Sequence, residues 1–147
     1  MNIWDFQTRL TKRLLAWSAL CVAFSVLTVF SASPFLRGLG IQSLAWGAID
    51  AAIAFFGANA SAKKRLKMRG QASAGSEANE SRWLEYILWV NTGLDVLYVV
   101  GGVWLIQTWG AESLLWRGHG WGVVIQGGFL FFFDFLHAFA LRKLRTK

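Results

Sequence analysis

Proline and cysteine are nearly absent from this sequence, and acidic residues are few. The 147 residues include one proline, Pro34, and one cysteine, Cys21. A lone cysteine within an apolar run excludes a disulfide framework and a cysteine-based metal motif. Aspartate and glutamate number 8 against 15 lysines and arginines, and only 16% of the residues are charged. So little charge in a chain that is 55% hydrophobic is unusual for a soluble domain.

Several enzyme and cofactor signatures are also missing. The sequence contains no Ser-His-Asp, nucleotide-loop or zinc-protease motif. No lysine lies inside an apolar run, which excludes a retinal Schiff base. The two histidines, His119 and His137, would be roughly 27 Å apart along one helix, so they cannot both ligate one haem in a protomer. We therefore predict no cofactor, and we favour a binding or structural protein over an enzyme.

Basic residues give the chain a pI near 10.2, which raises the question of nucleic-acid binding. The lysines and arginines occur in short blocks between apolar runs and form no stripe along an amphipathic helix. We therefore predict no nucleic-acid partner. The expected partner of the apolar runs is the lipid bilayer.

Four apolar runs have the length that a bilayer requires of a helix. They predict an all-α integral membrane protein, a bundle of four transmembrane helices at residues 14–30, 41–58, 83–106 and 121–141. A short interfacial helix is expected over residues 1–13, because Ile3, Phe6 and Leu10 form one apolar stripe beside basic residues.

The connections between these runs have distinct compositions. Pro34 is expected to break the helix, followed by a turn at residues 37–40. Residues 59–82 are basic and then rich in Ser, Ala, Gly and Glu, which predicts a mobile cytoplasmic linker, with a helical extension through Met68 left open. Residues 107–120 are expected to form a short loop.

The N-terminal segment also resembles a secretory signal peptide. It has a basic start, an apolar centre and the small residues Ser31, Ala32 and Ser33. Cleavage after Ser33 is disfavoured because Pro34 would follow the cut directly. We expect the first span to be retained.

Lysine and arginine counts predict the orientation of the spans. The N-terminal segment has three, residues 59–82 have six and the C-terminal tail has four, whereas the other two connections contain only Arg37 and Arg117. We therefore expect an integral protein of the cytoplasmic membrane, with both termini in the cytoplasm.

A short motif occurs twice. Arg37-Gly38-Leu39-Gly40 precedes the second span as Arg117-Gly118-His119-Gly120 precedes the fourth, and in this register Gly47 falls on Gly127. The chain then consists of two helical hairpins in a parallel internal repeat about an axis near the membrane normal. Asp50 and Asp134 do not align in this register, and chance similarity between glycine-rich turns remains an alternative.

Polar residues within the predicted spans form the candidate site. On the third span Asn91, Asp95 and Tyr98 follow i, i+4, i+7 spacing and share one helix face. A charged residue in hydrocarbon costs roughly 2.5–3.5 kcal/mol on insertion scales, so these residues should face the bundle interior. The full set is Asp50, Asn91, Asp95, Tyr98, Gln126, Asp134 and His137.

Three aspartates at membrane depth have no lysine or arginine beside them in the sequence, and His137 offsets at most one. Either some aspartates are neutral and hydrogen-bonded, or a cation from outside resides among them. One hypothesis is a site for a proton, cation or small polar solute, in a homo-oligomer. The other is a hydrogen-bond network that fixes helix packing in an accessory or scaffold subunit of a larger membrane complex. Whether Asp134, His137 and a further aspartate hold a metal stays undetermined.

Glycines within the spans are interpreted as sites of close helix approach rather than of ligand access. They are Gly47, Gly93, Gly101, Gly102, Gly127 and Gly128.

The second half of the chain resembles a known family. The resemblance rests on Leu84-Glu85 to Asn91, Gly93-Leu94-Asp95 with Tyr98, Gly102, Gly118-His119-Gly120, Gln126-Gly127-Gly128-Phe129-Leu130 and Asp134. Over residues 83–135 the sequence is similar to small prokaryotic four-span membrane proteins known only as a domain of unknown function. The resemblance implies the four-helix architecture, singles out Asn91, Asp95, Gln126 and Asp134, and implies no activity.

Overall fold

The computed structural model describes residues 2–68 and 74–145. These residues form α-helices and no strand: α1 (Ile3–Thr28), α2 (Pro34–Met68), α3 (Ala74–Gln107), α4 (Trp109–Glu112) and α5 (Leu114–Arg145). Four helices contain a stretch long and apolar enough to cross a membrane, namely Ile3–Thr28, Pro34–Lys67, Glu77–Gln107 and Leu114–Lys143. The fold class predicted from sequence is thus confirmed as all-helical with four such helices.

The predicted interfacial helix and first span form one continuous helix, α1. Asn2 caps it, because its side-chain oxygen accepts a hydrogen bond from the backbone N–H of Asp5 at 2.9 Å. The segment contains no glycine or proline that would interrupt the backbone hydrogen bonds. Residues 3–13 are therefore part of α1 and do not form a separate element.

The turn predicted at residues 37–40 is wrong, because these residues lie within α2. Pro34 begins this helix, at a position where its missing N–H and fixed φ carry no penalty. The loop predicted over residues 107–120 is also wrong, because this segment contains α4 and the first two turns of α5. The glycines in both segments adopt the helical conformation, and packing between α2 and α5 stabilises it.

The helical extension through Met68 is confirmed, whereas the linker predicted over residues 74–82 is wrong because these residues are helical, and residues 69–73 lie outside the described part of the chain. α2 continues through Met68 and α3 begins at Ala74. Lys64 donates to both carboxylate oxygens of Glu80, at 2.8 and 3.0 Å, which joins the two extensions. Trp4 donates to Glu77 and Gln7 to Glu80, each at 3.2 Å, so the start of α1 packs against the same place. Sequence periodicity does not reveal these long-range contacts.

Helix α1 packs mainly against α2 and α3 mainly against α5, while α2 and α5 meet in the middle of the bundle. The α2–α5 crossing depends on two glycines. A Cβ on Gly38 would collide with the carbonyl oxygen of Leu115, and a Cβ on Gly118 would collide with the carbonyl oxygen of Phe35. The two backbones are therefore in direct contact, and the two collisions are reciprocal.

Other predicted packing glycines lie at the remaining helix interfaces. A Cβ on Gly47 would lie 3.2 Å from the carbonyl oxygen of Ser18 on α1, and one on Gly127 would lie 3.2 Å from that of Asp95 on α3. Gly102 likewise faces α5. Larger side chains at these positions would push the helices apart.

The prediction that Gly93, Gly101 and Gly128 allow helices of the same chain to pack closely is wrong. A Cβ at any of these three positions would meet nothing within 4 Å. They lie on helix faces that no other described helix approaches. Helical spacing alone does not distinguish such an outward glycine from an inward one.

Polarity is distributed in the reverse of the usual soluble pattern. Leu27 and Leu97 are 80% and 64% exposed, whereas the side chains of Asp50 and Gln126 are 1% and 2% exposed. Soluble monomers seldom expose large contiguous apolar patches and seldom bury unpaired carboxylates. This distribution is the one expected of a chain whose outer surface contacts hydrocarbon.

Replacing Gly118 by alanine should destabilise the bundle, because the new methyl group collides with a backbone oxygen that cannot rotate away. The expected loss is about 1–3 kcal/mol, the usual range for overpacking. Thermal unfolding of the detergent-purified protein measures it. Gly101→Ala is the matched control and should be neutral or slightly stabilising, since alanine is the better helix former. Equal effects of the two substitutions would contradict the crossing.

Candidate functional site

A cavity of about 140 Å³ lies between α2, α3 and α5. The structure brings five of the seven predicted polar residues to its wall. These are Asp50, Asn91, Asp95, Tyr98 and Asp134. The aliphatic residues Leu14, Ile49, Ile53, Leu94 and Leu130 and the ring of Trp46 complete the wall. The volume suffices for several water molecules, each of which occupies roughly 30 Å³ in the liquid.

Helical spacing places these polar side chains. Asp50 lies on the buried face of α2, seven residues after Ser43 and four before Ala54, both of which are buried. On α3, Asn91, Asp95 and Tyr98 line the cavity together, as their spacing suggested. Each carboxylate is thus on the inward face of its own helix.

The three carboxyl groups are almost fully withdrawn from the surface. The exposed fractions of Asp50, Asp95 and Asp134 are 1%, 3% and 7%. The amide of Asn91 hydrogen-bonds to the Asp134 side chain. In the described part of the chain, the Oδ2 atoms of Asp50 and Asp95 have no hydrogen-bond partner.

Unpartnered acceptors of this kind are rare in folded proteins and cost about 1–3 kcal/mol each. Among the described residues, no lysine or arginine lines the cavity. The wall carries three carboxyl groups, and its neutral donor-bearing side chains, Asn91, Tyr98 and Trp46, leave Oδ2 of Asp50 and of Asp95 without a hydrogen bond. Its chemistry suits a species that donates hydrogen bonds or carries positive charge.

The cavity reaches the outer surface of the bundle between α2 and α3. Ile49, Ile53 and Leu94 on its wall are 46%, 57% and 43% exposed. The rings of Trp46 and Tyr98 meet edge to face across this opening, with centroids 5.0 Å apart. The opening is therefore apolar and aromatic, and the carboxylates lie behind it.

Trp46 is a residue of the site that sequence reasoning missed. It lies four residues before Asp50, so the two share a helix face. The same spacing rule that grouped Asn91 with Asp95 could have found it. The abundance of tryptophan in the chain, nine in all, hid the signal.

Gln126 lies outside this cavity. Its Oε1 accepts a hydrogen bond from Trp17 Nε1 at 2.9 Å, and its Nε2 donates to Cys21 Sγ at 3.1 Å. The ring of Trp17 also stacks on Phe129, with centroids 3.6 Å apart and planes inclined by 8°. Gln126 therefore joins α5 to α1 and is satisfied by these partners.

His137 also lies outside the cavity and is paired with Arg13. Its Nδ1 is 2.6 Å from the carbonyl oxygen of Phe133, and its Nε2 is 3.0 Å from an Nη atom of Arg13. A carbonyl only accepts and a guanidinium only donates, so both contacts are satisfied by the neutral tautomer with the proton on Nδ1. His137 does not offset the aspartate charges as expected from sequence.

Arg13 is the second residue that sequence reasoning missed. It stands with Arg9 and Lys12 beside the apolar stripe of the N-terminal segment, yet its guanidinium contacts the buried imidazole of His137. A metal site built on Asp134 and His137 is not formed. Among the described residues, no group of three His, Cys, Asp or Glu side chains is arranged to hold a metal ion.

Comparison with known proteins gives a family without an activity. No curated protein and no solved structure shows significant similarity to the chain. Residues 13–135 match a family of unknown function, DUF6992. The match extends beyond the second half on which the sequence resemblance rested, and it includes every residue of the cavity wall. The chain therefore belongs to the family of unknown function DUF6992.

Proposed function

We propose that this protein is a four-span membrane protein that binds a cation, the proton included, in the cavity lined by Asp50, Asp95 and Asp134. One observation carries the proposal. Two buried carboxylate oxygens in a single cavity lack any hydrogen-bond partner in the described part of the chain.

Membrane insertion is supported by the four long apolar helices and by the apolar outer surface of the bundle. Two hairpins, α1–α2 and α3–α5, are supported by the packing of these pairs. The reciprocal contacts of Gly38 and Gly118 lie between the hairpins and support a two-fold relation between them. A parallel repeat places the two hairpins side by side with the same orientation.

A cation is favoured over an anion or a neutral solute by the balance of donors and acceptors. An ionised carboxylate only accepts hydrogen bonds, and its charge acts strongly in a low-dielectric interior. The wall supplies three carboxyl groups, and its donor-bearing side chains, Asn91, Tyr98 and Trp46, are uncharged. An anion would add to the repulsion. A cation or an added proton relieves it.

A purely structural role accounts less well for the same residues. Interhelical polar contacts stabilise packing when the polar atoms satisfy one another, at about 0.6 kcal/mol each. Here Asp50 and Asp95 keep unpartnered oxygens, which costs stability. An accessory or scaffold role, in which the polar set serves packing alone, is the alternative outcome of the experiment.

Purified protein should unfold at higher temperature as the bound cation is added, because a ligand of the folded state stabilises by mass action. The free energy of unfolding rises by about 2.7 kcal/mol when the concentration of free ligand is a hundred times its Kd. Sodium, potassium and protons across pH 5–9 are the probes. Asp95→Asn keeps the shape, removes the charge and should abolish the dependence while the variant stays folded.

Glu112→Gln on the exposed helix α4 is the matched control and should behave as wild type. If the unfolding temperature still depends on the cation or on pH in both Asp95→Asn and Asp50→Asn, the ion binds elsewhere. Destabilised aspartate variants without any ion or pH dependence would favour the packing role instead.

We propose further that both termini and residues 59–82 face the cytoplasm, since 13 of the 15 lysines and arginines lie in these segments. In a Cys21→Ala background, Ser113→Cys should react with a membrane-impermeant maleimide in intact cells. Asn79→Cys should react only after lysis. The opposite pattern would invert the orientation.

A further inference from the structure

We propose that the cation is a primary alkylammonium amphiphile, whose ammonium group occupies the cavity and whose hydrocarbon tail lies in the opening between α2 and α3. This inference rests on the proposed cation function and specifies the chemical class of the ligand and its route. The ligand reaches the cavity sideways, from the hydrocarbon layer around the bundle.

The polar wall can recognise the head group of such a ligand. A primary ammonium carries three N–H donors and one positive charge. The unpartnered Oδ2 atoms of Asp50 and Asp95 lie on the cavity wall, as does the Asp134 side chain. Among the described residues, no group of three His, Cys, Asp or Glu side chains is arranged to hold a metal ion, so the wall suits a ligand that hydrogen-bonds to one or two carboxylates at a time.

An aromatic pair forms part of the cavity wall. Trp46 and Tyr98 both line the cavity, and their rings lie edge to face at 5.0 Å. Aromatic faces attract ammonium groups through the ring quadrupole, and tryptophan is the strongest of them. An inorganic ion that keeps its water shell gains less from such a wall than an organic ammonium does.

The volume of the cavity limits the size of the group that it can hold. Sites for drug-sized ligands usually span about 300–1,000 Å³. The cavity here measures about 140 Å³, so it holds a head group and little more. Any longer ligand must extend through the opening.

The opening of the cavity lies in a gap between two helices. Helices α2 and α3 are not closely packed against each other, in contrast to α1–α2, α2–α5 and α3–α5. The residues at this gap, Ile49, Ile53 and Leu94, are aliphatic and about half-exposed. An alkyl chain would lie against these side chains as a lipid tail does. In a bilayer the same surface is continuous with the lipid, which makes it a route rather than a sealed pocket.

The experiment measures the unfolding temperature of the full chain in nanodiscs of zwitterionic lipid at pH 7, titrated with four probes. Octylammonium supplies charge, N–H donors and tail; octyltrimethylammonium lacks the donors; octan-1-ol lacks the charge; ammonium chloride lacks the tail. We expect octylammonium to bind most tightly, roughly tenfold or more above octyltrimethylammonium because of its hydrogen bonds to carboxylates. Octan-1-ol should produce no saturable shift.

Two variants separate the head from the tail. Asp95→Asn should remove the octylammonium shift, with Glu112→Gln as the control that keeps it. Ile53→Trp, at a 57% exposed position beside the opening, should narrow it. It should lower octylammonium affinity by a larger factor than ammonium affinity.

Each remaining outcome overturns a defined claim. Equal affinities for ammonium and octylammonium, or stronger binding of sodium, would overturn the alkylammonium inference and leave the cation function standing. Equal shifts from all three octyl compounds would show a non-specific amphiphile effect and also overturn it. No response to any cation or to pH, in wild type, would overturn the proposed function itself.

Discussion

The direct contact between the backbones of α2 and α5 is the constraint on which the rest of the bundle depends. Gly38 and Gly118 allow each helix to touch the carbonyl oxygens of the other, at Leu115 and Phe35. This crossing fixes the distance between α2 and α5, and α1 and α3 then pack on them from either side through Gly47 and Gly127. The cavity exists because helices fixed in this way do not close the gap between α2 and α3.

The space between α1 and α5 and the space between α2 and α3 are filled differently. When the sequence is aligned so that Gly38 falls on Gly118, Trp46 falls on Gln126 and Asp50 on Leu130. Between α1 and α5, the ring of Trp17 stacks on Phe129, and its N–H donates to Gln126, so packed side chains fill this space. Between α2 and α3, carboxyl groups line a cavity. The aspartates therefore lie at one of these two helix interfaces and not at the other.

Helix boundaries were the part of the fold that the sequence predicted least well. Apolar runs locate the four long helices, because the length that a bilayer requires and the absence of charge are properties of sequence alone. They do not locate the helix ends. The extension of α2 through Met68 and the start of α3 at Ala74 are accompanied by contacts of Lys64 and Trp4 with Glu80 and Glu77. Such contacts join segments that are distant in the sequence, so local composition does not indicate them and predicts a linker instead.

The sequence by itself determined that the chain is helical and apolar, and it predicted that Asp50, Asn91, Asp95 and Asp134 face inward, because helical spacing groups them and a polar side chain on an apolar outer surface is costly. Only the tertiary structure decided which polar residues share a cavity. It joined Gln126 to Trp17 and His137 to Arg13, because partners on another helix satisfy these groups. It left the Oδ2 atoms of Asp50 and Asp95 without a hydrogen-bond partner among the described residues. Helix spacing sets the face on which a side chain lies; the neighbouring helix decides whether its hydrogen bonds are satisfied.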